Sequence, residues 1–167
     1  MRAFGVSNHT PRQTGLLKTA AEQPILINQV QLSNKHSALV AQGMTSNMTT
    51  TGDAITRDGG GLVDYARVNK ITLQAWSPIQ IGHEPGIFLG SPDYPELNAE
   101  IERLAEKYGV EPIAIACAWI TRHPANMQVV LGTTTPSRIV DAAAGSDIPL
   151  ARAEWYSLIQ AAGHKLP

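Results

Sequence analysis

Met127-Gln128-Val129-Val130-Leu131-Gly132-Thr133-Thr134-Thr135-Pro136-Ser137-Arg138 passes from one kind of structure into another within a few residues. Met127–Leu131 is a short, β-branched apolar segment closed by Gly132, the pattern of a buried strand. Thr135-Pro136 then offers an N-cap followed by a proline at the first helical position, and Ile139, Val140 and Ala143 continue a helix behind it. A buried strand that runs straight into a helix is the repeating unit of a parallel sheet.

The unit recurs upstream. Arg2–Val6 reads as a strand, and so does Ile25–Leu32, an apolar run that follows Pro24. Ile71–Trp76 alternates Ile71, Leu73 and Ala75 with Thr72, Gln74 and Trp76. Helices separate these strands. Thr10-Pro11-Arg12-Gln13 supplies an N-cap, a first-turn proline and a capping-box partner, with Leu16, Leu17 and Ala20 on one face. His36–Gln42 reads as a short helix followed by an extended polar loop to Arg57, and Leu62–Val68 as the next helix. Pro95–Tyr108 repeats Leu97, Ile101, Leu104 and Tyr108 at helical spacing and ends at Gly109. Pro112–Arg122 is apolar on nearly all sides, the mark of a helix buried all round. Arg152–Ala162, with Trp155, Leu158 and Ile159, is the last. The order β-α-β-α-β-α-β-α plus a terminal helix predicts an α/β fold of four parallel strands joined by right-handed crossovers.

Each strand ends in polar residues: Ser7-Asn8, then Gln29 and Gln31, then Trp76-Ser77-Pro78, then Thr133-Thr134-Thr135. In parallel α/β folds, ligands bind where the carboxyl ends of the strands converge. Any one of these groups alone reads first as turn chemistry; four on one rim favour a site. At the last strand, free backbone N–H groups, threonine hydroxyls and Arg138 in the first helical turn would suit an anion. An ordinary capped helix with a solvated arginine remains the alternative there.

Arg2-Ala3-Phe4-Gly5-Val6-Ser7-Asn8, Asn28-Gln29-Val30, Ala75-Trp76-Ser77-Pro78 and Leu131–Arg138 resemble, in order and spacing, the fifth to eighth strand signatures of the aldo/keto reductases. The resemblance covers essentially the whole chain. It implies a partial, half TIM-type (β/α)8 barrel, with residues 1–167 a single incomplete domain. It implies NADP(H) as cofactor, with NAD(H) left open, and a small-molecule carbonyl substrate once the barrel is completed. Carried over by motif, Ser7, Asn8 and Gln29 would hold the nicotinamide carboxamide, and Trp76 would stack on its ring. Ser77 would lie along the pyrophosphate, and Thr133, Thr134 and Arg138 would approach the adenosine 2′-phosphate. Two positions depart from the family pattern: Gly132 stands where many members have lysine, and Ala142 where an asparagine is frequent.

The family's catalytic Asp, Tyr, Lys and His belong to its first four strands, so no catalytic residue is assigned here, and no Tyr, His or Lys is expected beside Ser7, Asn8, Gln29 and Trp76. Four strands cannot close a barrel. Two strand edges and an apolar inner face would stand open, favouring a missing N-terminal half or self-association as partner. A non-catalytic nucleotide-binding half-barrel is the alternative function. An open doubly wound domain is the alternative fold.

Composition narrows the remaining classes. A net charge of -1 with 16% charged residues gives no electrostatic case for nucleic acid or an anionic membrane. No apolar run approaches the roughly 18 residues of a membrane span. The N-terminus lacks a signal-peptide core, and Met1 stands at the edge of a strand, as in a truncated frame. One cysteine, Cys117, excludes an internal disulfide and fits a cytoplasmic location. It reads as a small core residue. The five histidines are too scattered for a zinc site. His36 reads as a helix-start residue or one facing substrate, and His83 falls in a loop, Ile79–Tyr94, that the resemblance places over cofactor or substrate.

Overall fold

The structure, a computed structural model, describes residues 1–45, 61–82 and 86–166. The extended loop expected beyond residue 45 and His83 lie outside them. Four parallel strands, β1 (Phe4–Ser7), β2 (Ile25–Gln31), β3 (Thr72–Trp76) and β4 (Gln128–Val129), form one sheet in the order β1-β2-β3-β4. The α/β reading therefore holds. β1 begins two residues later than expected and includes Ser7, because its last pairing is Ser7 with Gln29. β4 pairs only at Gln128 and Val129, having β3 alone as neighbour, although the Val130 N–H still donates to the Ala75 carbonyl at 2.9 Å.

Apart from α2 (Ala38–Thr45), the helices start and stop close to where the sequence places them. α1 (Pro11–Ala20) has the full capping box, with Gln13 N–H donating to Thr10 Oγ1 and Thr10 N–H to Gln13 Oε1. α3 spans Leu62–Val68. α4 (Pro95–Tyr108) buries Leu97, Ile101 and Leu104 and ends on Gly109 in the left-handed conformation, φ 65°. α5 (Pro112–Thr121) is buried from Ala114 through Ile120, which is why it shows no polar face. α6 covers Pro136–Ala143 and α7 Arg152–Ala161. α2 runs over Ala38–Thr45, not His36–Gln42. His36 precedes it in a turn closed by its N–H to Ser33 Oγ at 2.9 Å, so the helix-start role fails.

One face of the sheet, with Val30, Leu32, Leu73 and Ala75, packs with α4, α5 and α7 into the core. A 3₁₀ turn, Ala144–Asp147, lies so close on α5 that a Cβ on Gly145 would strike the Ala114 carbonyl oxygen. Cys117 sits in this layer, and burial pushes its thiol up to about 12, so it stays protonated and inert.

The opposite face corrects an expectation. Register places Ser7, Gln29, Gln74, Trp76 and Gln128 together there. Gln29 Nε2 donates to Gln74 Oε1 at 2.9 Å, and Gln74 Nε2 to Gln128 Oε1 at 3.0 Å. The open face thus carries a polar ladder, with Ile27 on the same side two residues before Gln29, while alternation turns Val30, Leu32, Leu73 and Ala75 toward the helices. Large exposed apolar side chains include Leu26 of β2, Val68 of α3 and Ile87, besides those on α1 and α6. Leu16 and Leu17 of α1, read as lying on one face of that helix, are exposed, as are Ile139 and Val140 of α6. α1 packs on α3 and α6 on α5, and neither contact covers these side chains.

At the far end of the core, Glu154 accepts from Lys107 Nζ, from Tyr108 Oη at 2.7 Å and from the Ala151 N–H at 2.8 Å. Burial alone would raise its pKa; the bonds from Lys107, Tyr108 and Ala151 outweigh that and hold it at about 2. A depressed carboxyl contributes stability above its unfolded value, near 4.5, and loses that contribution as pH falls from there toward 2. Glu154→Gln is expected to lower the melting temperature at pH 7, with the gap from wild type narrowing between pH 5 and about 2. A gap independent of pH in calorimetry across this range would show that the ionised carboxylate contributes nothing.

Candidate functional site

The carboxyl ends of the strands place the predicted residues in two adjoining groups. The first lies where β1, β2 and β3 end. Ser7 Oγ donates to the Gln29 carbonyl at 3.2 Å, and Trp76 Nε1 donates to Asn8 Oδ1 at 3.2 Å, so β1 is tied across β2 to β3. Asn8 and Ser77 both have positive φ, 55° and 54°. Asparagine tolerates this conformation; serine does so at some cost, and strain of this kind gathers at functional rims. Gln29 commits its Nε2 to Gln74. Among the described residues, its Oε1 and the Asn8 Nδ2 have no partner, leaving one acceptor and one donor on the same rim.

The second group lies between the ends of β3 and β4. Ser77, Gly132, Thr133 and Arg138 line a cleft of about 550 Å³. Thr134 is exposed and does not line it. Thr135 takes the N-cap position of α6, but its side chain forms no cap; its own N–H donates to Thr133 Oγ1 at 3.2 Å. Pro136 has no N–H, so Ser137 and Arg138 supply the free donors of the first turn. Arg138 is the one cation among the described lining residues, facing Glu102, Glu111 and Asp141 in the same cleft. At Gly132 a Cβ would meet nothing within 4 Å, and Ala142 is buried.

The loop between β3 and α4 closes one side of this cleft, with Ile79, Gln80, Ile87 and Leu89 contributing to it. Asn98 in α4 holds that loop. Its Nδ2 donates to the carbonyls of Phe88, Ser91 and Tyr94, and its Oδ1 accepts from the Gly90 N–H. Its carboxamide stands inside a helix, where spacing marks only a break in an apolar stripe; nothing in the sequence pairs it with a loop.

One expectation about the rim is overturned. A histidine does stand beside Ser7 and Asn8: His9 Nδ1 donates to the Ser7 carbonyl at 2.9 Å, leaving Nε2 as the acceptor of the neutral ring. Asn28 clamps its backbone, accepting from His9 N–H and donating to His9 carbonyl. The Ser7-Asn8-His9 order was the available signal. His36 lies away from this group, with its Nδ1 near Gly82. Among the described residues no cluster of His, Cys, Asp or Glu could hold a metal, and no helix is long and apolar enough to cross a membrane.

Comparison with known proteins places this geometry. Residues 1–162 match the model of the Aldo/keto reductase family. The chain is 30% identical over 158 residues to a 6-dehydroglucose reductase of Agrobacterium fabrum, covering 95% of this chain and 46% of that protein. It is similar in structure to the thermostable aldo-keto reductase Tm1743, with a TM-score of 0.66 at 21% identity over 94% of this chain and 47% of that one. The silkworm (Bombyx mori) aldo-keto reductase AKR2E5, solved with NADPH, aligns with a TM-score of 0.62 at 20% identity, over 93% of this chain and 41% of that one. The chain spans about half the length of the curated relatives it matches. Its four strands correspond to half of their (β/α)8 barrel.

The Asn28 clamp yields a test. Asn28→Ala removes two bonds to one peptide in a buried position and should cost about 2 kcal/mol of stability. In hydrogen exchange, the His9 amide should lose protection while amides of α5 keep theirs. Uniform loss across both would mean that Asn28 supports the whole sheet and not the rim.

Proposed function

The chain belongs to the aldo/keto reductase family, and on that premise we propose that its strand ends form the cofactor-holding part of an NADP(H)-dependent oxidoreductase that interconverts carbonyls and alcohols. The observation that carries this reading is the unengaged pair Asn8 Nδ2 and Gln29 Oε1. A primary carboxamide presents one acceptor oxygen and one donor NH₂, and these two atoms are its complement. When bound, the nicotinamide supplies or takes the hydride. The rest is the work of this chain. Ser7 and Asn8 orient the carboxamide with Gln29. Trp76, pinned at its Nε1 edge by Asn8, presents a ring face for stacking.

Ser77, on the wall of the cleft, lies along the path of a pyrophosphate. Thr133, Thr134, Arg138 and the free N–H groups of α6 form the end suited to a 2′-phosphate. Three carboxylates in the same cleft make Arg138 decisive for NADP over NAD. Gly132 leaves room for the lysine that many relatives carry, so Gly132→Lys should tighten NADPH.

Reduction of a carbonyl also needs a proton donor held at its oxygen. We assign no residue of this chain to that role. The donor and most of the substrate pocket come from a complementary four-strand segment or a second copy. Leu16 and Leu17 at one edge, with Ile139 and Val140 at the other, are the apolar surfaces such a partner would cover. A nucleotide-binding half-barrel without chemistry is the second reading.

In a titration followed by tryptophan fluorescence, NADPH should quench the protein, and Trp76→Ala should remove that component. Arg138→Ala should weaken NADPH by about tenfold to a hundredfold and NADH little; equal losses would take Arg138 away from the 2′-phosphate. With a panel of aldehydes and a dehydro-sugar, the chain alone should show no NADPH oxidation, and turnover should appear on co-expression with the N-terminal half of a related barrel. Turnover by the chain alone, abolished in His9→Ala, would overturn the proposal and make His9 the donor.

A further inference from the structure

Away from the strand ends, a second cavity of about 390 Å³ opens between α2, α3, the turn after α5 and the start of α7. Three arginines line it from three separate elements: Arg67 near the end of α3, Arg122 just after α5 and Arg152 at the start of α7. Asp64, one turn before Arg67, is the one acid among the described lining residues. The described lining therefore carries excess positive charge in a protein whose overall charge is -1. All three arginines are solvent-exposed, so water and salt screen their mutual repulsion, and an anion seated among them would gain direct pairing.

His123 adds a neutral donor. Burial, then the neighbouring Arg67, lower its pKa, while Asp64 opposes them. Its Nδ1 accepts the Ala125 N–H at 3.1 Å, so the neutral ring keeps its proton on Nε2. Arg122 is fixed by its Nε bond to the Leu150 carbonyl at 2.9 Å, and its terminal nitrogens have no partner among the described residues.

Gln42 adds one uncharged polar side chain, and most of the remaining wall is apolar. Leu39, Met44, Val63 and Trp155 form it. Trp155 is rigid, stacked on Trp119 at 5.5 Å with its Nε1 donating to the Trp119 carbonyl at 2.8 Å. Tyr156 closes one side with the Arg152 guanidinium 5.7 Å from its ring centre. A bare inorganic ion would leave that wall wet, and a neutral apolar molecule would leave the guanidinium groups unanswered. An arginine head group over an apolar wall fits a molecule with both parts.

We propose that this cavity binds a small organic anion, a carboxylate carried on an apolar body about the size of a fused aromatic ring pair. Among the described lining residues it shares none with the strand-end cleft.

The test uses the full chain with 2-naphthoate and its uncharged analogue 2-naphthalenemethanol, titrated by calorimetry. Saturable one-to-one binding of the naphthoate is expected, with the alcohol at least about tenfold weaker. Arg67→Gln and Arg152→Gln should each weaken the naphthoate by about tenfold, with far-UV circular dichroism unchanged, and Arg138→Gln should leave it unaffected. No saturable binding, equal affinity for the alcohol, or indifference to both arginine variants would overturn the proposal. So would loss of binding in Arg138→Gln, which would place the anion in the strand-end cleft. Displacement by inorganic phosphate at similar concentration would overturn the apolar half of the recognition.

Discussion

Parallel pairing is the constraint on which the rest of this molecule depends. Strands that run the same way must all end on the same side, and each must return by a covered crossover before the next can begin. β2 holds the arrangement together: it pairs with β1 through Ser7 and Gln29 and with β3 from Ile27↔Thr72 to Gln31↔Trp76. Because these registers are fixed, Asn8, Gln29 and Trp76 meet without any loop having to find its own way. The loops then need only local devices to finish the rim, and Asn28 and Asn98 are those devices, each satisfying several backbone groups from within a regular element.

The crossovers are covered by a helical layer built around α5. A helix buried from Ala114 to Ile120 can exist only if neighbours take every face, and the close approach of Gly145 shows how little slack there is. The ion and hydrogen-bond knot at Glu154 ties α7 to α4 at the outside of that layer. The interior is therefore complete on the helix side of the sheet, whatever lies against the other side.

Much of this was legible in the residues. Proline at the first turn, glycine after Tyr108 and the apolar runs located α3, α4, α5, α6 and α7 nearly to the residue, since those signals are local and each has a steric cause. Less legible was anything decided by neighbours. Leu16, Leu17, Ile139 and Val140 have the spacing of buried faces but are exposed, because α1 and α6 pack on α3 and α5 without burying them. An open apolar inner face was expected of a half-barrel, yet Gln29, Gln74 and Gln128 line up across it. The alternation of β2 and β3 in fact sends glutamine to one side and Val, Leu and Ala to the other. At the site, the rim residues could be read from strand ends, whereas the Asn28 clamp, the loop anchor at Asn98 and the bond of His9 to Ser7 could not, because each joins residues through space and carries no spacing of its own.

The glutamine ladder has a direction. Each carboxamide gives its N–H to the next, from Gln29 through Gln74 to Gln128, so the dipoles align and polarise one another. An amide that donates becomes a better acceptor at its own oxygen, and the oxygen at the head of this row is Gln29 Oε1. The basicity of that atom is thus tuned from β4, two strands away, at a residue on the sheet's edge that touches nothing at the rim. Whatever comes to lie against Gln128 acquires a lever on the electronic character of the site, transmitted by amide dipoles with no movement of the backbone.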